Sequence, residues 1–592
     1  MCGIIGVVSP SPASRRVVEG LHRLEYRGYD SAGIAALSCG ELLLAKGIGC
    51  IDDVCPGGEA VTLENSVAIG HTRWATHGGV TRANAHPHTD ASNTIAVVHN
   101  GIIENYAQLR ADLVRAGVEF RSETDSEVIP HLLRRTLNSG VASLEDAVRF
   151  VAGLLEGSFS FLAISAAEPG TMVGIRKDNP LVVGLGEECF FLSSDSLAFC
   201  SSASHMILPS NGEVVVVTQQ GVRITDAHGQ EVWHEKLKVD ATWSETSKDG
   251  HPHYMLKEIL EQPRALLQTL YQDEMYFMQM AIELLRARSV VFTACGTSRH
   301  ASLIGRLLFS KVAGKMSDVV MGSEYEYFVD SADKHTVIIA VSQSGETADV
   351  LDGVRAAKGS GAKILAVVNR PSCLLADESD YVINLNCGAE IGVAATKSFL
   401  SQVSVFYMLA HAMANELPGA MWALQDASAH LDNLLTSVNG SLERLMHRFV
   451  GKSDMYFIGR GMNFPLAMEG ALKMKEISYV HAEGMPAGEL KHGSIALIEK
   501  GTPVVAICPE DEAYDATVAN CMEAKSRGAY VIGISDVRNP VFDTWVPIPQ
   551  VSKLQYPMLA VVPLQLMAYY MAVLRGCDPD RPRNLAKSVT VR

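Results

Sequence analysis

The sequence predicts an α+β domain followed by two α/β domains, each a doubly wound parallel sheet, with a short linker between the two kinds. Three observations lead there. The chain has 592 residues, too many for a single core. Up to about residue 238 it carries short apolar runs separated by turns, whereas beyond residue 254 strand, loop and helix alternate regularly. That alternation then occurs a second time at nearly the same spacing.

The elements follow in order. Residues 2–238 form the first domain. Its strand runs include Ile95–Val98, Phe159–Ile164 and Val214–Val217, with helical stretches near 103–116 and 125–137. Residues 239–253 are polar and aperiodic, which reads as the linker. Residues 254–440 form the first α/β domain. Strand Ser289–Ala294 leads into Cys295-Gly296-Thr297-Ser298 and a helix; strand Val337–Val341 leads into Ser342-Gln343-Ser344-Gly345-Glu346-Thr347 and a helix to about Lys358; Lys363–Val368 is a third strand. Residues 441–575 form the second, with strands at Met455–Ile458, Val504–Cys508 and Tyr530–Ile534, and a tail covers 576–592.

Cys295 to Ser342 is 47 positions and Arg460 to Cys508 is 48, the mark of a diverged internal duplication. Only the first copy has a Ser/Thr-Gly loop; the second has Pro509-Glu510-Asp511-Glu512, which repels phosphate. One ligand site per tandem pair follows.

Composition narrows the function classes. A formal charge of -16 argues against a broad nucleic-acid surface. Twelve cysteines without a CxxC pair read as reduced thiols, hence a cytoplasmic protein, and the expected N-terminus carries no secretory signal. The 21 uncharged residues between Lys553 and Arg575 are long enough to span a bilayer, but Pro557, Pro563 and Gln565 interrupt them, so a buried core helix is expected instead. His86-Pro87-His88 and His251-Pro252-His253 lack neighbouring ligands at metal spacing, so neither metal nor cofactor is expected.

The chemistry begins at Cys2. Removal of Met1 leaves a cysteine with a thiol and a free α-amine, and an amine titrating near pH 8 can act as the base for its own thiol. Downstream stand Tyr26-Arg27-Gly28-Tyr29-Asp30-Ser31, His71-Thr72-Arg73-Trp74-Ala75-Thr76-His77-Gly78, His99-Asn100-Gly101 and Glu123-Thr124-Asp125. Each alone has an ordinary structural reading: Asn-Gly as a turn, Trp74 as core, Asp125 as a helix cap. Together and in this order they resemble the class II glutamine amidotransferases, whose fold is of the N-terminal nucleophile type. The resemblance implies Cys2 as nucleophile on the glutamine amide, with the Asn100 side chain and Gly101 N–H as oxyanion donors. It assigns Arg73 to the substrate carboxylate, Asp125 to the α-ammonium, Thr76 and His77 to the pocket rim, and Trp74 to pocket closure and ammonia passage.

The loop Ser342–Thr347, between strand and helix, offers hydroxyls, backbone N–H groups and a helix dipole to an anion. It is not a P-loop. It resembles the phosphosugar loop of sugar isomerase (SIS) domains, which implies a sugar phosphate held by Ser342, Gln343, Ser344 and Thr347 with Thr297 and Ser298. The segments Glu469–Ser478, Gly488–Gly493 and Arg583–Val591 extend the likeness to the glucosamine-6-phosphate synthase family along essentially the whole chain. That family implies glutamine and fructose 6-phosphate as substrates, glucosamine 6-phosphate and glutamate as products, and ammonia passed between the two halves.

Residue types agree with those steps. His492 resembles the acid/base group for ring opening. Lys587 resembles the amine that forms a Schiff base at C2. Glu476 resembles the carboxylate that moves a proton between C1 and C2, with Lys473 one turn earlier to tune it. Val393 lies in a sugar-contacting run, Gly392–Lys397, where Ala395 stands in place of the family's common Ser. SIS domains commonly pair across subunits, so a homodimer with a shared sugar site is expected. An asparagine synthetase would need an SGGxDS-type loop and a phosphoribosyl amidotransferase an acidic diphosphate-sugar loop; neither occurs. A non-catalytic sugar-phosphate sensor would not need Cys2, Glu476, His492 and Lys587, and deglycases usually lack an intact glutaminase half.

Overall fold

Two antiparallel sheets lie face to face in the first unit, with helices on both outer faces. The computed structural model describes residues 2–10, 12–56, 65–239, 247–328 and 332–590. It divides into two units: Met1–Thr246 together with Ala586–Arg592, and Ser247–Leu585. The first unit has fourteen strands among its described residues. These are β1 (Gly3–Val8), β2 (Ser31–Ser38), β3 (Glu41–Ile48), β4 (Val67–Arg73), β5 (His88–Thr89), β6 (Ile95–Gly101) and β7 (Phe159–Ser165). Then come β8 (Met172–Lys177), β9 (Val182–Leu185), β10 (Phe190–Ser193), β11 (His205–Ile207), β12 (Val214–Thr218), β13 (Gly221–Thr225) and β14 (Leu237–Lys238). One sheet runs β14-β11-β9-β10-β1-β4-β2-β3, the other β13-β12-β8-β7-β6-β5.

Strand alternation builds the layers. Ile4 and Val8 of β1 face the second sheet and pack with Val98, Leu162 and Val215. Ile5 and Val7 face outward and meet Val17, Leu21 and Leu24 of the helix Ala13–Leu24. On the far face, Val97, Phe159 and Phe161 pack on Leu113, Leu132 and Val148 of three further helices. Both faces of the central strands are therefore covered, which is why they read as continuous apolar runs.

The second unit holds two parallel five-stranded sheets. The first contains β15 (Ser289–Ala294), β16 (Asp318–Met321), β17 (Thr336–Ser342), β18 (Lys363–Val368) and β19 (Tyr381–Asn384), in the order β16-β15-β17-β18-β19. The second contains β20 (Asp454–Gly459), β21 (His481–Pro486), β22 (Pro503–Ile507), β23 (Tyr530–Ser535) and β24 (Thr544–Pro547), in the order β21-β20-β22-β23-β24. The identical 2-1-3-4-5 order in both sheets is the spatial form of the repeat. The edge strands were not legible in the sequence: β16, β19 and β24 have four residues each, and β21 has six but no apolar run.

One 31-residue helix, Leu417–His447, crosses the expected boundary at 440/441. It packs on the helix Gln262–Thr269 of the first repeat and on the helix Tyr556–Leu574 of the second. Leu424, Leu431, Leu435, Val438 and Leu442 bury one stripe in a core common to both sheets. A cut at 440 therefore divides a continuous element. Of the expected linker, residues 240–246 lie outside the described residues, and Tyr254 opens the next helix.

The helix Tyr556–Leu574 is long and apolar enough to cross a membrane, and 83% of its most apolar window is buried inside the unit. Its buried Gln565 accepts from Gln262 Nε2 at 2.9 Å and donates to the Thr396 carbonyl at 3.3 Å, so its amide is satisfied by protein.

Candidate active sites

Cys2 is half-buried, directly ahead of β1. The start of β1 is pinned by polar groups around Ile4: Ser193 Oγ donates to its carbonyl at 2.8 Å, and its N–H donates to Ser194 Oγ at 3.0 Å. Beside them Asp195 takes Arg27 Nη2 at 2.7 Å, both side chains being buried. The Trp74 N–H points at Cys2 Sγ from 3.3 Å. Burial pushes the thiol up, while the N-terminal ammonium, the Trp74 N–H and Arg73 act against that rise. A thiol kept protonated by burial needs a base to become a nucleophile.

Arg73 ends β4 and is buried. Its Nη2 donates to the His77 carbonyl at 2.6 Å and its Nη1 to the Gly79 carbonyl at 3.3 Å, which folds the segment 74–79 over the site. Asp30 holds the other side of that turn, taking the Ala75 N–H at 2.9 Å. Trp74 stands edge-on to Tyr29 at 6.2 Å, and His77 edge-on to Tyr106 at 5.4 Å. Thr76 is exposed.

Asn100 and Gly101 end β6. Asn100 Nδ2 donates to the Cys2 carbonyl at 3.0 Å, so the amide lies against Cys2 itself. Gly101 has φ +111, and a Cβ there would sit 2.0 Å from the Ser158 carbonyl oxygen. Only glycine fits that turn, and its N–H remains at the end of the strand. Asp125 is buried; it accepts from the Ile103 N–H at 2.8 Å and from Ser126 Oγ at 3.3 Å. It precedes the helix Val128–Asn138 and does not cap it. His86 and His88 are core residues: His86 stacks on His71 at 4.0 Å, and His88 Nε2 pairs with Thr124 Oγ1 at 3.0 Å.

In the second unit, β15 and β17 are adjacent and in register, Ala294 against Val341. The segments that follow them, from Cys295 and from Ser342, therefore lie side by side at the point where strand order reverses. That is the ligand crevice of doubly wound sheets. Ser342 Oγ pairs with Thr347 Oγ1 at 2.9 Å and takes the Gly345 N–H at 3.1 Å, closing the loop on itself. Gly345 has φ +68, and a Cβ would meet Cys373 Sγ at 2.1 Å. Neither the helix Gly296–Ala313 nor the helix Ala348–Gly359 has a side-chain hydrogen bond at its N-cap. Their first N–H groups face the crevice.

The helix Asn463–Ser478 brings a charged row to the same crevice. Glu469 accepts from Thr297 Oγ1 at 3.0 Å and meets His300 Nδ1 at 2.8 Å. Lys473 Nζ lies 3.5 Å from Glu469 and 2.7 Å from Glu476 Oε2. Burial alone raises Glu469, yet Lys473, His300 and Thr297 hold its carboxyl below the usual range. Burial pulls Lys473 down, but Glu476 and Glu469 outweigh it and hold the ammonium above its ordinary value. Ser298 Oγ accepts from Gln402 Nε2 at 2.9 Å. The run with Val393 and Ala395 is fastened by Glu258, on the Gly392 N–H at 3.2 Å, and by Glu390, on the Thr396 N–H at 2.9 Å.

The fold thus gathers Cys2 with Arg73, Trp74 and Asn100, and Thr297 with Lys473 and Glu476. Gln343 is half-buried and Ser344 buried in the closed loop. His492 is exposed at the end of the turn Ala487–His492, whose Ala487 and Leu490 are buried, and among the described residues it makes no hydrogen bond or ion pair with Lys473 or Glu476. Lys587 is half-buried on the tail that groups with the first unit. Sequence reasoning passed over Glu469 as a working residue. Its one signal was the spacing of Glu469, Lys473 and Glu476, which puts all three on one helix face.

A thiol at the head of a strand with the Asn100 amide beside it, followed by tandem parallel sheets with a Ser/Thr loop at the switch point, fits a glutamine amidotransferase joined to sugar isomerase domains. Residues 71–201 match the glutamine amidotransferase domain family, and 283–412 and 449–575 each match the SIS domain family. The chain is 43% identical to the glutamine–fructose-6-phosphate aminotransferase (isomerizing) of Thermococcus kodakarensis and 43% to that of Methanothermobacter thermautotrophicus, with all of both chains covered in each case. It belongs to that family. The C-terminal domain of glucosamine-fructose-6-phosphate aminotransferase from Francisella tularensis matches 57% of this chain and 100% of its own, with TM-score 0.53 and 32% identity. A tagatose-6-phosphate ketose/aldose isomerase from Escherichia coli shares the fold, with TM-score 0.50 and 18% identity over 56% of this chain and 97% of its own.

Proposed function

We propose that this protein transfers the amide nitrogen of glutamine to fructose 6-phosphate and isomerises the product to glucosamine 6-phosphate. The observation that carries it is one chain holding both half-sites. The Cys2 thiol lies 3.3 Å from the Trp74 N–H, and the closed Ser342–Thr347 loop stands at a sheet switch point. In this reading Cys2, activated by its own amine once Met1 is gone, attacks the glutamine amide. Asn100 Nδ2 and the Gly101 N–H hold the oxyanion. Arg73 takes the α-carboxylate and Asp125 the α-ammonium; Thr76 and His77 form the rim, and Trp74 controls the way out for ammonia.

Ser342, Gln343, Ser344 and Thr347, with Thr297 and Ser298, hold the sugar phosphate, and Val393 contacts the sugar. His492 opens the ring, Lys587 forms the Schiff base that ammonia displaces, and Glu476 carries the proton between carbons, tuned by Lys473. The unit acts in the cytoplasm as a homodimer, with His492 supplied to the partner's sugar site. Ammonia reaches that site without entering solvent, because free ammonia at neutral pH is mostly non-nucleophilic ammonium.

Amide-15N glutamine and fructose 6-phosphate, with mass spectrometry of the sugar, test the coupling. Label in glucosamine 6-phosphate supports it. Glutamate without labelled amino sugar would overturn the acceptor assignment. Cys2→Ala should remove glutamine-dependent synthesis, and a fully active monomer at nanomolar concentration would refute the shared site.

A further inference from the structure

The nucleophile and its oxyanion donor stand on different sheets: Cys2 leads into β1, and Asn100 belongs to β6. A fixed distance between them needs ties from sheet to sheet. On β6 the backbone groups of Ile95, Val97 and His99 turn toward β5, as the Asp90 N–H to Ile95 carbonyl bond at 3.2 Å marks. But β5 has only two residues and pairs no further than Val97. The N–H and C=O of His99 are buried and have no strand beside them.

Two imidazoles fill the place of that strand. The His99 N–H donates to His86 Nδ1 at 3.3 Å, and His71 Nε2 lies 3.0 Å from the His99 carbonyl. A carbonyl only accepts, so Nε2 of His71 carries the proton. Burial, the main cause, pushes His71 down to about 3, so it holds this bond as a neutral ring. His71 is on β4, opposite Ile4 of β1. Its bond therefore runs from the sheet of the nucleophile to the peptide that precedes Asn100. On the other side, Ser126 Oγ donates to Asp125, so it accepts from His99 Nδ1 at 2.8 Å. His99 thus links the Asp125 and Asn100 ends of the pocket.

We infer that His71 is a positioning residue for glutamine hydrolysis: its Nε2–H fixes the His99–Asn100 peptide, and through it the oxyanion donors, against Cys2. The inference rests on the glutaminase reading above. His71→Leu keeps the packing and removes the donor; His71→Gln keeps an N–H at the Nε2 position. With His71→Leu, kcat for glutamate release should fall about 10- to 100-fold, less than the roughly 100- to 1000-fold of losing an oxyanion donor outright because the donors stay and only their placing loosens, while KM for glutamine moves less than threefold. His71→Gln should recover at least half of that loss on a logarithmic scale.

Alkylation of Cys2 by iodoacetamide passes through no oxyanion, and its rate should stay within twofold of wild type in both variants. Equal kcat in His71→Leu and wild type would overturn the inference, as would a parallel fall in alkylation, which marks general disruption. A wild-type chain that releases no glutamate would instead overturn the glutaminase reading, and this inference with it.

Discussion

Thr297 Oγ1 donates to Glu469 Oε1 at 3.0 Å across 172 positions of the chain. One carboxylate thereby joins the head of the helix Gly296–Ala313 in the first repeat to the helix Asn463–Ser478 of the second. The same carboxylate faces Lys473, and Lys473 faces Glu476. Glu469 is wholly buried, so its charge is tolerated only because these partners surround it.

Glu469→Gln keeps an acceptor for Thr297 and removes the charge. Lys473 then turns wholly to Glu476. We expect a loss of about 3 kcal/mol in the stability of the second unit, the scale for breaking a buried pair. Amino-sugar formation should fall tenfold or more while glutamine hydrolysis is unchanged. Denaturant titration and separate assays of the two half-reactions decide it; unchanged stability would mean that the carboxylate is not a charged partner.

Gly345→Ala should distort the Ser342–Thr347 loop, proposed above to hold the sugar phosphate. A Cβ there meets Cys373 Sγ at 2.1 Å and Cys373 Cβ at 2.7 Å, at φ +68. Overpacking and backbone strain together cost about 2–5 kcal/mol. KM for fructose 6-phosphate should rise tenfold or more. Adding Cys373→Ala removes the sulfur but neither its Cβ nor the strain, so only part of the stability should return in a thermal melt.

The first unit should be acid-labile. Burial, the leading cause in each case, holds His71, His86, His88 and His99 below the ordinary imidazole range. Arg73 and Lys46 add to this at His86 and His88, while Glu127 at His88 and Asp125 at His99 oppose it. Above about pH 6.5 folded and unfolded chains are both neutral at these rings, and no penalty applies. Below it the unfolded chain takes up protons that the folded one refuses, so stability falls with pH. Four rings give up to ~5 kcal/mol per pH unit. The urea midpoint of this unit should be flat from pH 8 to 7 and drop steeply from 6 to 5. A slope of less than one proton there would contradict the burial of the cluster.

Ala395→Ser adds a hydroxyl to a run already fastened by Glu258 and Glu390. One new hydrogen bond of ~0.5–1 kcal/mol corresponds to a two- to fivefold lower KM for fructose 6-phosphate. An unchanged KM would mean that the backbone alone makes the contact there.

The strands β15 and β18 were legible to the residue, because a buried parallel strand is an apolar run with a sharp end at a loop. The Ser342–Thr347 loop was legible for the same reason. β21 was not: His481-Ala482-Glu483-Gly484-Met485-Pro486 has neither period, and only its neighbour β20 makes it a strand. The role of Glu469 was hidden because its partners Thr297 and His300 come from a distant part of the sequence. The histidines 71, 86 and 99 were visible as letters, but their service to the edge of β6 depends on where β5 stops, which no local pattern records.

The helix Leu417–His447 has a consequence for how the repeats relate to each other. Each copy of a duplicated gene begins as an autonomous body, able to survive alone. Here one rod contributes to the interior of both, so neither copy retains a boundary at which it could be released. A fragment ending at 440 would carry away most of the rod and strand its last turns; one starting at 441 would lack the stripe that seals its flank. The duplication has become irreversible, and the pair should melt as a single body in calorimetry.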